Sequence, residues 1–138
     1  MSWEDLTRLA ADPLVTIGAH TVNHVMLAKT PERQARAEMA MSRSAIQAKL
    51  GLPADHLAYP YGDRLSAAAR DFAIAAKVGF KTAVTTRPGM IFPENAAHMT
   101  ALPRLSLNGN YQDERLLTVL TSGAATAVWN GFRRVDAA

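Results

Sequence analysis

The stretch Thr16-Ile17-Gly18-Ala19-His20-Thr21-Val22-Asn23-His24 decides how this chain is read. The apolar run from Leu14 to Ile17 predicts a short buried strand, and Gly18 breaks it just before two histidines four residues apart. A helical turn after that strand would project both imidazoles from one face. Two neutral nitrogens converging on one point, with room for a third ligand and water, suit a divalent metal. Taken alone, the spacing is equally compatible with two surface histidines.

On the N-terminal side, Ser2 caps an expected helix over residues 3–11, with Glu4 and Asp5 in the first turn where the helix dipole favours anions. Leu6, Leu9 and Ala10 form its expected buried face, and Asp12-Pro13 ends it. On the C-terminal side, Thr30-Pro31-Glu32 combines a capping hydroxyl, a proline at the first helical position and an acid. The long helix that follows carries Ala35, Met39, Ser42, Ile46 and Leu50 in one apolar stripe, with Gly51 as its stop and Pro53 beyond.

Further along, Leu57-Ala58-Tyr59 predicts a strand and Pro60-Tyr61-Gly62-Asp63 a turn. A helix over residues 66–78 buries Phe72 and closes at Gly79; residues 80–85 predict a strand that Arg87-Pro88-Gly89 breaks. Residues 90–102 are expected to be irregular, 102–107 a last strand and 112–121 a helix. From about residue 122 an alanine-rich tail with Val128, Trp129 and Phe132 is expected to be helical or partly disordered. Strands separated by helices predict parallel pairing in an α/β layer or barrel, as a single domain over residues 1–138. Functional groups in such folds gather where strands end. His20, His24, Tyr61, Asp63 and Arg87 all follow expected strands, and Arg104 lies in or near the last one.

The 138 residues are 49% hydrophobic and 20% charged, ordinary for a globular domain with a real core. There is no cysteine, so disulfides and thiolate metal sites are excluded, and any metal rests on His, Asp or Glu. A net charge of +3 comes from basic residues scattered along the chain, with only Arg133-Arg134 adjacent. That pattern reads as a solvated surface, and no nucleic-acid partner is expected. Nothing approaches a membrane span, and the start lacks a signal peptide, which predicts a cytoplasmic place for the chain as given. No G-x-S-x-G elbow, nucleophilic cysteine or phosphate-cradling glycine loop is present.

Two segments together resemble the polysaccharide deacetylase family, which is carbohydrate esterase family four, or the nodulation-protein-B homology domain. Gly18 to His24 is similar to that family's H-[ST]-x-x-H metal motif, and Leu57 to Asp63 to its R-x-P-Y-G groove motif. Trp3-Glu4-Asp5-Leu6, Phe80 to Thr85 and Leu102-Pro103-Arg104 resemble flanking parts, so the likeness runs to about Gln112. It implies an incomplete (β/α) barrel of mostly parallel strands with outer helices. It also implies metal-dependent removal of acetyl from an N-acetylated sugar or polysaccharide, with a divalent ion such as zinc as cofactor.

By the same resemblance His20 and His24 are metal ligands, Tyr59, Pro60, Tyr61 and Gly62 form the substrate groove, and the Tyr61 backbone N–H serves the oxyanion. The family's T-F-D-D-G motif supplies the base and the third ligand, yet this sequence holds no Asp-Asp pair. The motif arginine falls at Ala58, with Arg104 as a candidate to reach the same space. The closing L-x-H lacks its histidine at Leu105-Ser106-Leu107, leaving His98 as a candidate acid beside a plain surface role. Asp63 is also readable as a simple turn cap, and Tyr59 and Tyr61 as strand-end aromatics. An impaired deacetylase and a non-catalytic metal- or carbohydrate-binding remnant both follow. A barrel left open predicts self-association, in which a dimer covers the open side.

Overall fold

The chain's longest apolar stripe builds its longest element. In the computed structural model, which describes residues 1–110 and 112–137, α2 runs Glu32–Leu50 and ends at Gly51 in the left-handed conformation. Ala35, Met39 and Ser42 are buried along it as the stripe predicts, and Ile46 packs at the margin of the core. Glu38 is buried on the same face, which an apolar stripe does not anticipate. Thr30 does not cap this helix: its hydroxyl donates to the Met26 carbonyl, within the short 3-10 turn Leu27–Lys29 region, and Pro31 takes the cap position.

The first helix, α1 at Trp3–Ala10, closes with a reciprocal cap in which Asp5 N–H donates to Ser2 Oγ and Ser2 N–H to the Asp5 carboxylate. Its expected buried face is not buried; Leu9 is exposed, and Leu6 and Ala10 are only partly covered. The strand expected from Leu14 to Ile17 is also absent. Leu14 is 93% exposed, and the segment's one strand-like contact is a parallel bridge from Ala19 to Leu57. This segment lies at the sheet's edge, so hydrogen bonds reach it from one side only.

Strand β1 at His56–Ala58 pairs in parallel with β2 at Thr82–Val84, in the register His56–Thr82, Leu57–Ala83 and Ala58–Val84. Bridges Ala19–Leu57 and Val84–Leu102 extend this into four parallel segments in chain order. The last strand, expected over residues 102–107, shrinks to that single bridge. Pro103 has no N–H to continue the ladder, and Arg104 N–H turns to the Arg87 carbonyl. Each of the first two crossovers carries a helix, α2 and then α3 at Ala69–Val78, while the third carries a 3-10 turn at Pro93–His98 inside the stretch expected to be irregular.

Helix α3 starts three residues later than expected because Asp63 holds the preceding turn, accepting from Leu65 N–H and the Ser66 hydroxyl. Arg70 and the fully buried Asp71 pair at its start, and Arg70 also donates to the carbonyls of Leu27 and Thr30. The chain ends in α4 at Glu114–Thr121 and α5 at Ala124–Trp129. Ala138, the last residue of the expected tail, lies outside the described residues.

Leu57, Ala83 and Ala19 point into a core of Leu27, Met39, Tyr59, Phe72, Ile74 and Phe80 beneath the helices. Their neighbours His56, Ala58, Thr82 and Val84 lie on the opposite face and stay partly or fully exposed. A parallel sheet ordinarily has both faces covered. Here one face is covered and the other is open. No helix among the described residues is long and apolar enough to cross a membrane.

Candidate active site at the strand ends

Parallel strands share a direction, so their C-terminal ends form one rim. His20, the loop after Ala58, the Thr85–Arg87 segment and Arg104 all lie on it. The two histidines meet there through a loop rather than the helical turn expected: Thr21 and His24 take left-handed φ values of 63° and 53°. His24 N–H donates to Thr21 Oγ1 across the turn. The imidazole centroids stand 4.9 Å apart with their planes at 68°. Two imidazoles bound to one tetrahedral ion at about 2.1 Å place their centroids roughly 5 Å apart, so this spacing fits a shared ion.

One ring is also held in a defined tautomer. His20 Nδ1 lies 2.7 Å from the Ala58 carbonyl, which can only accept, so Nδ1 carries the proton. Nε2 therefore presents its lone pair. A backbone carbonyl fixing the outer nitrogen is how ligating histidines are usually oriented. Both imidazoles are solvent-exposed. Two donors thus fit a divalent ion, but among the described residues no third His, Asp or Glu joins them.

Tyr61 completes the cluster, its ring centroid 4.9 Å from that of His24. Tyr61 and Gly62 are consecutively left-handed, at φ 61° and 70°. Glycine is required at the second position, because a Cβ there would meet the Thr86 nitrogen at 2.7 Å. Thr86 fastens the loop from β2, its N–H donating to the Gly62 carbonyl and its hydroxyl to the Tyr61 carbonyl. Among the described residues the Tyr61 N–H has no acceptor within the chain, which leaves it available to an incoming oxygen. Among the described residues four non-glycine residues have positive φ, and Thr21, His24 and Tyr61 are three of them. Strain of this kind gathers where surrounding structure holds a site in place.

The other expected groove residues are not on the surface. Tyr59 is 2% exposed, packs its ring against Phe72 and donates its hydroxyl to the Thr100 carbonyl at 2.7 Å. Burial, with the Asp71 charge adding to it, pushes the Tyr59 phenol far up, so it remains a protonated donor. Pro60 and Gly62 are buried as well; Tyr61, 51% exposed, is the groove residue that solvent reaches.

Arg104 is exposed on the rim but belongs to the fourth segment, with β1 and β2 between it and His20. At about 4.8 Å per strand that separation is roughly 14 Å, and among the described residues its guanidinium contacts no partner. His98 precedes the fourth segment and therefore sits at the opposite end of the sheet. It is not placed to act as the acid beside His20 and His24. Asp63 serves as the turn cap described above; the Ser66 hydroxyl, with the Leu65 and Ser66 amides, holds its carboxyl below the usual range.

Sequence reasoning missed Glu38. From the buried face of α2 its Oε2 accepts the Val22 and Asn23 N–H groups, both at 2.9 Å, and its Oε1 accepts the Asn23 side-chain amide at 2.6 Å. The available signal was an acid inside an apolar stripe, one position from Met39. Burial alone would raise its carboxyl, but the hydrogen bonds from Asn23 and Val22 outweigh burial and hold it below the ordinary value.

Parallel strands with crossover helices and a histidine pair at their C-terminal rim define an α/β layer of the (β/α)-barrel type. The chain belongs to the polysaccharide deacetylase family: residues 1–83 match the family described as Polysaccharide deacetylase. Among solved structures, it is similar to the deacetylase PplD of Streptococcus pyogenes in complex with acetate. That likeness has a TM-score of 0.76 and 24% identity over 87% of this chain and 50% of that one. IcaB from Ammonifex degensii matches with a TM-score of 0.68 and 25% identity, over 87% of this chain and 52% of that one. The deacetylase domain of BpsB from Bordetella bronchiseptica matches at 0.64 and 21%, over 75% and 48%. The chain spans about half the length of these structures. No curated protein matches its sequence.

Proposed function

We propose that this chain supplies the histidine half of a metal-dependent deacetylase site acting on N-acetylated sugars of a polysaccharide, a hydrolysis of carbon–nitrogen bonds other than peptide bonds. The observation that carries the reading is the convergence of His20 and His24 beside Tyr61, with the His20 Nδ1 proton held by Ala58. A divalent ion, zinc in the first instance, would supply Lewis-acid polarisation of the acetyl carbonyl. The chain's own part is to present two imidazole nitrogens at fixed spacing and to offer the Tyr61 N–H to the oxygen that gains charge. Tyr61, exposed at the rim, is the side chain offered to the sugar.

The reading also requires carboxylates for the base and for the third ligand, and none joins the histidines among the described residues. The 138 residues alone are therefore expected to release little or no acetate from an acetylated chitooligosaccharide, with or without zinc or cobalt. Metal-dependent release would show that this chain is itself a working deacetylase. The same missing ligand favours a second reading, a non-catalytic metal- or carbohydrate-binding remnant. Zinc binding without acetate release from any longer product that supplies the two aspartates would select it.

The open sheet face supports a proposal about assembly. His56, Ala58, Thr82 and Val84 are left partly uncovered, and a second copy packed there would cover them. Sedimentation at tens of micromolar, on the order of the range for weak interfaces, is expected to show a dimer. A clean monomer would remove this proposal and leave the site reading untouched.

A further inference from the structure

We infer that Glu38 is a positioning residue for the histidine pair: from α2 it grips two of the three residues between His20 and His24 and so fixes where His24 stands. The inference rests on the metal reading above. The loop from Thr21 to His24 has two left-handed, non-glycine residues and no regular secondary structure of its own. Left to itself such a loop would relax toward commoner backbone angles. What opposes relaxation is a carboxylate, 5% exposed, that receives three hydrogen bonds from two successive residues. Charged acceptors make the stronger hydrogen bonds, and here all three bonds fall on one side chain.

Glu38 is itself immovable, because Ala35, Met39 and Ser42 bury the same face of α2 in the core. The loop is thereby referenced to the core rather than to solvent. Inside the loop, the hydrogen bond from His24 N–H to Thr21 Oγ1 passes that reference on to His24, whose ring meets His20 and Tyr61. Glu38 touches no ligand; it acts through Val22 and Asn23.

The chemistry of the grip makes it testable by exchange of donors and acceptors. Glu38 uses both oxygens as acceptors, so Glu38→Gln removes the charge that strengthens the two backbone bonds, even if the Asn23 amide turns its oxygen to accept from the new donor. Asn23→Asp alone sets two carboxylates face to face and loses the side-chain bond, and pairing it with Glu38→Gln restores three bonds. The measurement is nuclear magnetic resonance on the full chain, following amide exchange at Val22 and Asn23, and imidazole shifts of His20 and His24 as zinc alone is added. Glu38→Gln is expected to speed exchange at both amides and to raise the zinc midpoint about tenfold or more, the usual loss when a ligand's supporting partner goes. Asn23→Asp alone is expected to move both the same way and the double variant to recover both relative to it, which a general loss of stability would not do.

Unchanged exchange in folded Glu38→Gln overturns the grip. Faster exchange with an unchanged zinc midpoint overturns the positioning role. If wild type shows no imidazole response up to ~1 mM zinc, the metal reading fails and takes this inference with it, while the exchange result still reports the grip. If Glu38→Gln does not fold, Asn23→Ala removes only the side-chain bond. A smaller shift of the zinc midpoint in the same direction supports the role, and none overturns it.

Discussion

The chain has four histidines, and the sheet separates them into two pairs with different circumstances. His20 and His24 stand at the C-terminal rim, in mutual ring contact, with one tautomer held by a carbonyl and the loop between them gripped from the core. His56 opens β1 and His98 ends the 3-10 turn before the fourth segment, so both face the other end. His56 also has a hydrogen bond, Nδ1 to the Thr82 hydroxyl at 2.7 Å, but to a group that can donate or accept, so no tautomer is imposed. One residue type therefore gives a converging pair at one rim and two separate imidazoles at the other. Strand direction and a fixed lone pair make the difference.

The largest expected effect separates the pairs directly. His24→Ala or His20→Ala should abolish the zinc response of the remaining rim imidazole, because one nitrogen cannot hold the ion against water. His56→Ala and His98→Ala should leave that response unchanged. A zinc response that survives at the rim but disappears with His56 would reverse the comparison.

A smaller effect tests whether the rim is built more tightly than other glycine turns. Gly62→Ala forces a Cβ against Thr86 at φ 70°, whereas Gly51→Ala, at φ 66°, meets nothing within 4 Å. Both substitutions incur the left-handed cost of about 1–2 kcal/mol, but only Gly62→Ala adds a backbone clash. Thermal unfolding should show Gly62→Ala as the more destabilised protein, by about 1 kcal/mol or more beyond Gly51→Ala. Equal losses would mean that the loop yields without strain.

The two tyrosines that flank Pro60 sharpen the same point. Tyr59→Phe leaves the Thr100 carbonyl without its donor in a buried place and should cost about 1–2 kcal/mol by denaturant unfolding. Tyr61→Phe, at an exposed ring, should stay within about 0.5 kcal/mol. A larger loss at Tyr61 would move the structural role from the core to the rim.

Nearby residues that look alike in sequence thus divide between core and surface, and this marks where sequence reading stopped. Helix α2, its glycine stop, the end of α3, the parallel α/β order and the pairing of His20 with His24 were legible, because periodicity, caps and motif spacing are local signals. The Leu14–Ile17 run predicts a strand that is absent, because an apolar stretch is equally apolar whether or not a neighbouring strand covers it. The resemblance places Tyr59 in the groove beside Tyr61, yet Tyr59 is buried, and the left-handed angles of the turn at Tyr61 and Gly62 are displayed only by the structure. Glu38 shows in the sequence only as an acid inside an apolar stripe, because its main partners are backbone N–H groups, which leave no mark in a pattern of side chains.

That same acid gives the smallest expected effect, a dependence of stability on pH. Burial alone would push the Glu38 carboxyl up, but the bonds from Asn23 and Val22 reverse the sign and hold it below the ordinary 4.5. A folded value lower than the unfolded one means that the unfolded chain binds the proton more readily. The carboxylate's contribution is therefore whole above about pH 4.5 and is lost as pH falls through the lower folded value. Glu38→Gln carries no proton to bind, so its stability should fall less steeply over that interval. The two proteins' urea midpoints should separate above pH 5 and converge in acid. Asp63, held low in the same direction by Ser66, keeps its own share of the slope in both proteins, so the curves should approach without either becoming flat. Parallel curves would mean that the bonds from the histidine loop do not favour the charged form, and the grip would then have to be weaker than its geometry implies.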